Sequence, residues 1–448
     1  MEWLPFSIVL ALIIAIVMAR WPVAASLGFY AFLLPFDSIL IAARVGEIHL
    51  HVTWLVGAAT TVVLVLTGLL GRRLLRPPQA AVFAVLIVFW AFMSYFWAIN
   101  IDRAVFRLPF LALLLLLYLA GVSVRITENE VRAIAWMAIF GGVLAAAISL
   151  YAFSQGEWWR SPVATQVLRE LSGRGTLSSG GRVTDPNTLG ATLVLPLSLA
   201  VGFLMSSRTW PRRLLLIGSV VVIGASVLAT MSRGTILGVT IVFLVFLWRS
   251  RASWRLLLPF ALIGGAATTM PLVLARFAQT QADRGAGRLD IWGVGLRAFG
   301  HYAFLGAGLD CFPDAFNQYA HTAKNFVGFF RAPHNIFLGT GVELGVVGLV
   351  LLLLFIFRHI AFAVNSRRAD TDEAFRLQLV SFEAGLWGLV VCGLFIDLFW
   401  EGYFWLSLML LTILVRARQE SREAAYEAFD RFAPSPAFEI PTNRFIRP

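Results

Sequence analysis

Three arginines and one histidine have side chains suited to binding a phosphate-containing substrate and moving a proton. Arg182 lies in GGRVTDPN, Arg233 in MSRGT, Arg288 in GAGRLDIW and His334 in APHNIF. MSRGT stands between two apolar runs, which predicts a tight turn at Arg233. A guanidinium is a rigid fork of donors that matches phosphate oxygens and stays charged at neutral pH. An imidazole can take or release a proton near that pH. The four residues therefore predict a site that holds a diphosphate beside a group that must lose a proton.

Each cation also has a purely structural interpretation when it is taken alone. An arginine at a helix end commonly extends to lipid headgroups or binds terminal backbone carbonyls. A histidine after Ala-Pro can simply begin a helix. The diphosphate hypothesis therefore depends on all four residues, Arg182, Arg233, Arg288 and His334, lying on the same face of the protein.

Several polar neighbours are candidates for supporting roles. Asp185 and Asn187 follow Arg182, and Asn335 follows His334. Asp185 precedes Pro186, so it is equally suited to cap the next helix. Glu343 lies about two and a half turns beyond His334, inside an apolar run. A carboxylate there is costly, which makes it a functional candidate, with an ion pair to an arginine of another helix as the alternative.

The composition requires lipid as the solvent for most of the chain. Of 448 residues, 59% are hydrophobic and only 14% are charged. The formal net charge of +11 does not indicate nucleic-acid binding, because the bases fall in short clusters between apolar runs. A bias of positive charge towards the cytoplasm explains these clusters. The fold class expected is an all-α polytopic membrane protein.

Thirteen apolar stretches are long enough to cross, or nearly cross, a bilayer. We favour about twelve membrane-spanning helices, with residues 1–43 forming one crossing and a short or broken helix; thirteen would move the N-terminus to the outer side. Residues 1–416 are then a single transmembrane domain, and residues 417–448 a cytoplasmic tail. The stretches are 3–19, 21–43, 52–70, 79–97, 105–122, 130–153, 186–206, 213–230, 234–248, 255–273, 334–357, 377–397 and 400–416.

Five basic clusters fix the orientation of this domain. Each cluster lies an even number of spans from the next, so all five fall on one side, which is taken as cytoplasmic. Two hydrophilic loops, at about 154–185 and 274–333, are then on the periplasmic side together with the four cations. The clusters are Arg72, Arg73 and Arg76; Arg208, Arg212 and Arg213; Arg249, Arg251 and Arg255; Arg358, Arg367 and Arg368; and Arg416, Arg418 and Arg422.

The larger loop is expected to contain short helices. Residues 287–299 have an apolar stripe at helical spacing, which predicts an amphipathic helix at the membrane interface. The stripe consists of Leu289, Trp292, Leu296 and Phe299. The glycines at 339, 341, 345 and 348 predict close helix packing in the span that follows. Asp397 and Glu401, near the outer end of the last helices, are candidates for salt bridges.

The two cysteines, Cys311 and Cys392, are not expected to meet, because one lies in a polar loop and the other in an apolar run. No cluster of cysteine and histidine has metal-ligand spacing, and no cofactor is expected.

Four stretches of the chain, in this order, resemble the O-antigen ligase and O-antigen polymerase superfamily of bacterial membrane glycosyltransferases. The resemblance covers about residues 170–360 and implies a C-type glycosyltransferase architecture in the inner membrane. The stretches are GRVTDPNTLGATLVLPL, ATMSRGTILG, GRLDIWGVGLRAFGHYAFLGAGL and PHNIFLGTGVELGVVGLV.

This resemblance implies a substrate and a reaction. The donor would be an undecaprenyl-diphosphate-linked glycan, used at the periplasmic face without a metal ion and with inversion. A ligase would transfer the glycan to lipid A–core, whereas an O-antigen or exopolysaccharide polymerase would transfer it to another lipid-linked unit. Arg233, Arg288 and His334 match the family's catalytic positions, and Arg182 would help to bind the diphosphate.

A transporter of a lipid-linked glycan is the alternative from another functional class. Such a protein should carry polar residues at the middles of several spans. Here the spans are mostly apolar at their centres, with Glu343 as an exception, and the polar groups gather at one end, which favours the enzyme.

Overall fold

The computed structural model describes residues 20–45, 48–155, 174, 176–179, 182–250, 287–325 and 327–432. Several predicted features lie outside the described residues. These are the stretches 3–19 and 255–273, most of the loop 154–185, the start of the loop 274–333 and the end of the tail.

Within the described ranges the chain forms thirteen α-helices and four short strands. The first half contains α1 (Pro22–Leu33), β1 (Ile41–Val45), β2 (Ile48–His51), α2 (Val52–Leu70), α3 (Gln79–Met93), α4 (Ile101–Val122), α5 (Glu128–Gln155), β3 (Ser178–Ser179) and β4 (Arg182–Val183). The second half contains α6 (Pro186–Ser206), α7 (Trp210–Ala229), α8 (Arg233–Arg249), α9 (Arg288–His301), α10 (Phe312–Tyr319), α11 (Ile336–Ala369), α12 (Glu373–Cys392) and α13 (Gly402–Phe432).

Eight of the described helices are long and apolar enough to cross a membrane. They are α2 to α7, α11 and α12, with α3 extended by a 3-10 turn to Trp97. The protein is therefore an all-α polytopic membrane protein. Two more predicted stretches, 234–248 and 400–416, are also helical, in α8 and the first half of α13.

Residues 21–43 do not form one long helix. α1 ends at Leu33, a 3-10 turn follows at Leu34–Phe36, and the chain then enters the antiparallel hairpin of β1 and β2. Neither this hairpin nor the two-residue pairing of β3 with β4 is expected from the sequence, because apolar composition alone cannot distinguish a strand from a short buried helix.

The centre of the bundle is α6, which packs against α12, and α12 packs in turn against α8. In the most apolar 18-residue stretch of α6, 83% is buried inside the protein. Small residues let these helices approach closely. A Cβ at Gly202 would lie against Ser381, and a Cβ at Gly238 would lie 2.7 Å from the carbonyl oxygen of Gly388. Backbones that touch in this way give a membrane bundle its packing energy where the hydrophobic effect is weak.

The spanning helix α11 is broken at Gly345, which has φ 66° and ψ −169°. The glycine spacing in this helix therefore serves more than helix packing, because Gly345 is the point at which a loop enters. Residues 303–308 insert there and form backbone hydrogen bonds with both sides of the break. The bonds run from Ala307 N to Val342 O (2.8 Å), from Gly308 N to Glu343 O (2.9 Å) and from Val346 N to Ala303 O (2.7 Å).

Helices α9 and α10 lie at this end of the bundle, which is called the α9 end below. The helix predicted at 287–299 is confirmed as α9. Its buried face carries Ile291, Val294 and Ala298, which pack against Phe312 and Phe316 of α10. The predicted apolar stripe is divided. Trp292 and Phe299 pack against this cluster, whereas Leu289 and Leu296 are 55% and 61% exposed.

Members of the basic clusters meet at the opposite end. Arg416 donates to the carbonyl oxygen of Arg76 at 2.8 Å. Arg249 and Arg367 both approach the buried carboxylate of Glu383, at 3.4 and 3.3 Å. The first cluster is therefore close to the fifth, and the third cluster is close to the fourth.

Candidate functional site

Arg233 lies in a tight turn between two helices, as its motif predicts. Thr230, Met231 and Ser232 are the only residues between α7 and α8, and Met231 has a φ of +50°. The Ser232 side chain caps α8 by accepting from the backbone amide of Thr235. Arg233 is thus the first residue of α8, and its side chain is half-buried at the α9 end.

Arg288 is the first residue of α9 and follows Gly287, whose φ is +74°. Its guanidinium carbon lies 5.9 Å from the centre of the Phe395 ring. Phe395 also approaches the residue after Arg233, since a Cβ at Gly234 would lie 2.9 Å from the Cβ of Phe395. One aromatic side chain therefore packs between the starts of the two arginine-bearing helices.

His334 has a strained backbone at the entrance of α11. Its φ is +45°, which is uncommon for a residue other than glycine. The residues on both sides are held in place: Trp292 donates to the carbonyl oxygen of Pro333 at 3.1 Å, and the amide of Ile336 donates to Gly393 at 2.8 Å. Strain that neighbouring contacts maintain is typical of functional sites.

The electrostatics of His334 identify its charged neighbours. Burial lowers its pKa below the ordinary value of 6.5, and the positive charge of Arg288 lowers the pKa further. Asp185 acts in the opposite direction, and Arg331 adds a smaller lowering effect. The structure thus brings Arg288, His334 and Asp185 together. Arg331 belongs to the same neighbourhood, although its motif gave no reason to select it.

Asp185 caps α6, which confirms the structural alternative for this residue. Its carboxylate accepts from the amides of Asn187 and Thr188, at 2.6 and 3.2 Å. Its charge still acts on His334, so capping and electrostatic roles coexist. Arg182 pairs with Ser179 in the small hairpin of β3 and β4, and the position of its side chain is outside the described part of the structure.

Arg174 is a residue that sequence reasoning missed. It is buried, with 6% of its surface exposed. It donates through Nε to the carbonyl oxygen of Thr230 at 2.7 Å and through Nη2 to the side-chain oxygen of Asn187 at 3.0 Å. Arg174 therefore connects the start of α6 to the turn that carries Arg233. Asn187 contributes to this connection by accepting the hydrogen bond from Arg174.

Asn335 and Glu343 are engaged with the protein backbone. Asn335 caps α11 by accepting from the amides of Phe337 and Leu338, at 2.9 and 3.0 Å. Glu343 is 4% exposed and accepts from the amide of Phe312, the first residue of α10, at 3.4 Å. Among the described residues Glu343 has no ion pair, so the predicted pairing with an arginine is not found there.

The loop between α12 and α13 also lines this end. A Cβ at Gly339 would lie 3.5 Å from Oδ2 of Asp397 and 2.9 Å from Pro333, the residue before His334. Burial raises the pKa of Asp397 to about 7. The salt bridges suggested for Asp397 and Glu401 are not found among the described residues, and Arg107, whose charge acts on both, pairs instead with Asp310 at 3.1 Å.

This arrangement combines fixed positive charge with a neutral base. Guanidiniums that cannot lose their protons lie at the starts of α8 and α9, where the positive ends of the helix dipoles also favour anions. The nearby imidazole has a lowered pKa and is therefore unprotonated at neutral pH. Such a site can bind a phosphorylated group and accept a proton from an attacking hydroxyl.

Comparison with known proteins relates this geometry to a family. Residues 218–353, from α7 to the middle of α11, match the family model described as O-antigen ligase. This match contains Arg233, Arg288 and His334, together with the broken helix that supports α9 and α10. A search of curated proteins found no match to the chain. Residues 218–353 are therefore similar to the O-antigen ligase family, which supports the resemblance of this chain to the O-antigen ligase and polymerase superfamily.

Proposed function

We propose that this protein is an O-antigen ligase-type glycosyltransferase. It transfers a glycan from an undecaprenyl-diphosphate-linked donor to an acceptor hydroxyl of lipid A–core, at the periplasmic face of the bacterial inner membrane. One observation carries the proposal above the others: Arg288 and the strained His334 are neighbours at one end of a membrane bundle, within the segment that matches the family.

The proposed reaction is a single displacement at the anomeric carbon. The acceptor oxygen forms a bond to this carbon as the bond to the donor diphosphate breaks, which inverts the configuration. The diphosphate leaves with the bonding electrons, and Arg233 and Arg288 stabilise its developing charge. Arg182 contributes to diphosphate binding. His334 accepts the proton that the acceptor hydroxyl loses. In this mechanism the arginines supply the positive charge that a metal ion provides in other enzymes.

The pH dependence of transfer should follow the charges around His334. The neutral imidazole is the active form and its pKa is lowered. Activity should therefore persist below pH 6.5 and fall only as the solution becomes acidic enough to protonate His334. Arg331→Gln removes a positive neighbour and should move this acidic limb to higher pH. Asp185→Asn removes a negative neighbour, keeps a good helix cap, and should move it to lower pH.

The measurement is the pH profile of the transfer rate for the two variants and the wild-type protein. Shifts in opposite directions are the expected result. Identical acidic limbs, or shifts in the same direction, would show that His334 is not the group that titrates.

Arg174→Gln should loosen the turn that carries Arg233. Charged hydrogen bonds in buried positions contribute about 1.5–3 kcal/mol each, so we expect transfer to fall by about 10- to 100-fold. Arg174→Lys keeps the charge, but a lysine cannot bond to Thr230 and Asn187 at the same time as a guanidinium does, so it should recover only part of the rate. The control is Arg213→Gln, which removes an arginine bond to the carbonyl oxygen of Ser207 in the turn before α7. Equal transfer rates in the Arg174 and Arg213 variants would show that Arg174 does not support the turn that carries Arg233.

The identity of the acceptor is tested in a strain that lacks this gene, by mass spectrometry of its lipid-linked products. Loss of polymer from lipid A–core, with polymer still on its carrier lipid, is the result expected for a ligase. A carrier lipid that bears only single repeat units would instead identify a polymerase. A transporter is disfavoured because the candidate residues gather at one end of the bundle instead of lining its middle.

A further inference from the structure

The loop between α10 and α11 exposes two adjacent phenylalanines. Phe329 and Phe330 are 62% and 55% exposed. Two aromatic rings presented together on a loop are unusual unless another apolar phase covers them. Lys324 and Arg331 stand on either side of the pair in sequence, and both are exposed.

The backbone of this loop holds the pair in place. Gly328 has a φ of +94°, and Phe330 has a φ of +51°, which is unfavourable for a bulky side chain. The Arg331 side chain closes the turn by donating through Nε to the carbonyl oxygen of Val327. Exposure of the two rings is therefore a feature of a closed turn.

The turn lies beside both the candidate site and the membrane entrance of α11. A Cβ at Gly287, the residue before Arg288, would lie 3.2 Å from Cγ1 of Val327. Phe330 precedes Ile336, the first residue of α11, by six positions. Six residues span about 20 Å at most when fully extended, which is comparable to the thickness of one lipid leaflet. The turn therefore lies within the depth of one leaflet from the start of α11.

We propose that Phe329 and Phe330 insert into the lipid leaflet at the α9 end of the bundle. Aromatic rings favour the boundary between headgroups and hydrocarbon, and flanking basic side chains favour the phosphate layer. Leu289, next to Arg288 in sequence, is also exposed, at 55%. The inserted turn sets the depth of Arg288 and His334 so that they meet the diphosphate of a lipid-linked donor. This last step rests on the proposed function, whereas the insertion itself does not.

Insertion can be measured with spin labels in proteoliposomes. The native cysteines, Cys311 and Cys392, are buried and free, so labels can be directed to introduced sites. Nitroxides at Phe329→Cys and Phe330→Cys should collide more with oxygen than with a water-soluble nickel chelate. Val221→Cys, at a 58% exposed position of α7, is the lipid control, and His321→Cys, on the exposed 3-10 turn after α10, is the aqueous control. Labels at 329 and 330 that behave like the one at 321 would overturn the proposal.

The consequence for catalysis is tested separately with the double variant Phe329→Ser and Phe330→Ser. For a polyprenyl-diphosphate donor embedded in the bilayer, KM should rise by about tenfold with kcat unchanged. For a short-chain, water-soluble donor, KM and kcat should be the same in the variant and in the wild-type protein. Equal KM values for the embedded donor would refute the depth-setting role. A wild-type protein that inserts the pair but transfers no glycan would refute the proposed function and leave the insertion standing.

Discussion

Replacing Arg288 with alanine is expected to reduce the rate of glycan transfer by about 10²- to 10³-fold. In other active sites, a hydrogen-bonding group that is already positioned where negative charge develops contributes this much to the rate. Such a group does not have to reorganise during the reaction. Arg288 meets this condition. It begins α9 directly after Gly287, and its guanidinium carbon lies 5.9 Å from the centre of the Phe395 ring.

The matched control for this prediction is Arg297→Ala on the same helix. Arg297 is exposed and binds Thr322 through its carbonyl and hydroxyl oxygens. Its loss should leave transfer within about twofold, as is usual for exposed polar contacts. The comparison uses purified variants at equal concentration with the same lipid-linked donor. Similar rates in the Arg288 and Arg297 variants would rule out a role for Arg288 in charge stabilisation.

Gly345→Ala is expected to disrupt the break in α11 and the loop that enters there. The backbone conformation at Gly345 lies in a region that is essentially restricted to glycine. An added Cβ would also collide with the carbonyl oxygen of Phe304 and lie 2.9 Å from the amide of Gly306. Strain and overlap together should lower the free energy of unfolding by about 2–5 kcal/mol.

This substitution should also abolish transfer, because the inserted loop supports α9 and α10 and therefore places Arg288. Thermal unfolding in detergent and the transfer rate are the two measurements. Gly218→Ala is the control, since a Cβ at that position of α7 meets nothing within 4 Å and alanine favours the helix. A Gly345 variant as stable and active as the Gly218 variant would contradict the described break in α11.

Local signals in the sequence were sufficient for several features of this site. Asp185 before proline predicts the cap of α6, and the cap is present. The MSRGT motif predicts a tight turn, and three residues separate α7 from α8. The period of residues 287–299 predicts α9. Each of these features depends on residues within a few positions of one another, which is the range that helix capping and periodicity describe.

Long-range contacts could not be predicted in the same way. Phe395 lies between Arg288 and Gly234, although more than 100 positions separate it from either. In the sequence, Arg174 cannot be distinguished from an ordinary loop arginine. Its importance follows only from its hydrogen bonds to Thr230 and Asn187. Gly345 belongs to a glycine pattern that is typical of packed membrane helices, and nothing local indicates that a loop enters there.

The apolar face of α9 illustrates a related limit. Periodicity identifies the helix and its apolar stripe, but only two members of that stripe, Trp292 and Phe299, pack against the protein. The fully buried face is formed by a second set of small and branched residues. In a membrane protein an apolar stripe can face lipid as well as protein, so the pattern predicts the helix and leaves its rotation undetermined.

The most direct test of the central claim is transfer by the purified protein in proteoliposomes that contain an undecaprenyl-diphosphate-linked glycan and lipid A–core. We expect the wild-type protein to move the glycan onto lipid A–core without added nucleotide. His334→Ala and Arg288→Ala, each folded and inserted as judged by thermal unfolding, should lose nearly all of this activity. Near-normal transfer by both variants, or no transfer by the wild-type protein to either lipid A–core or a second lipid-linked glycan, would contradict the account.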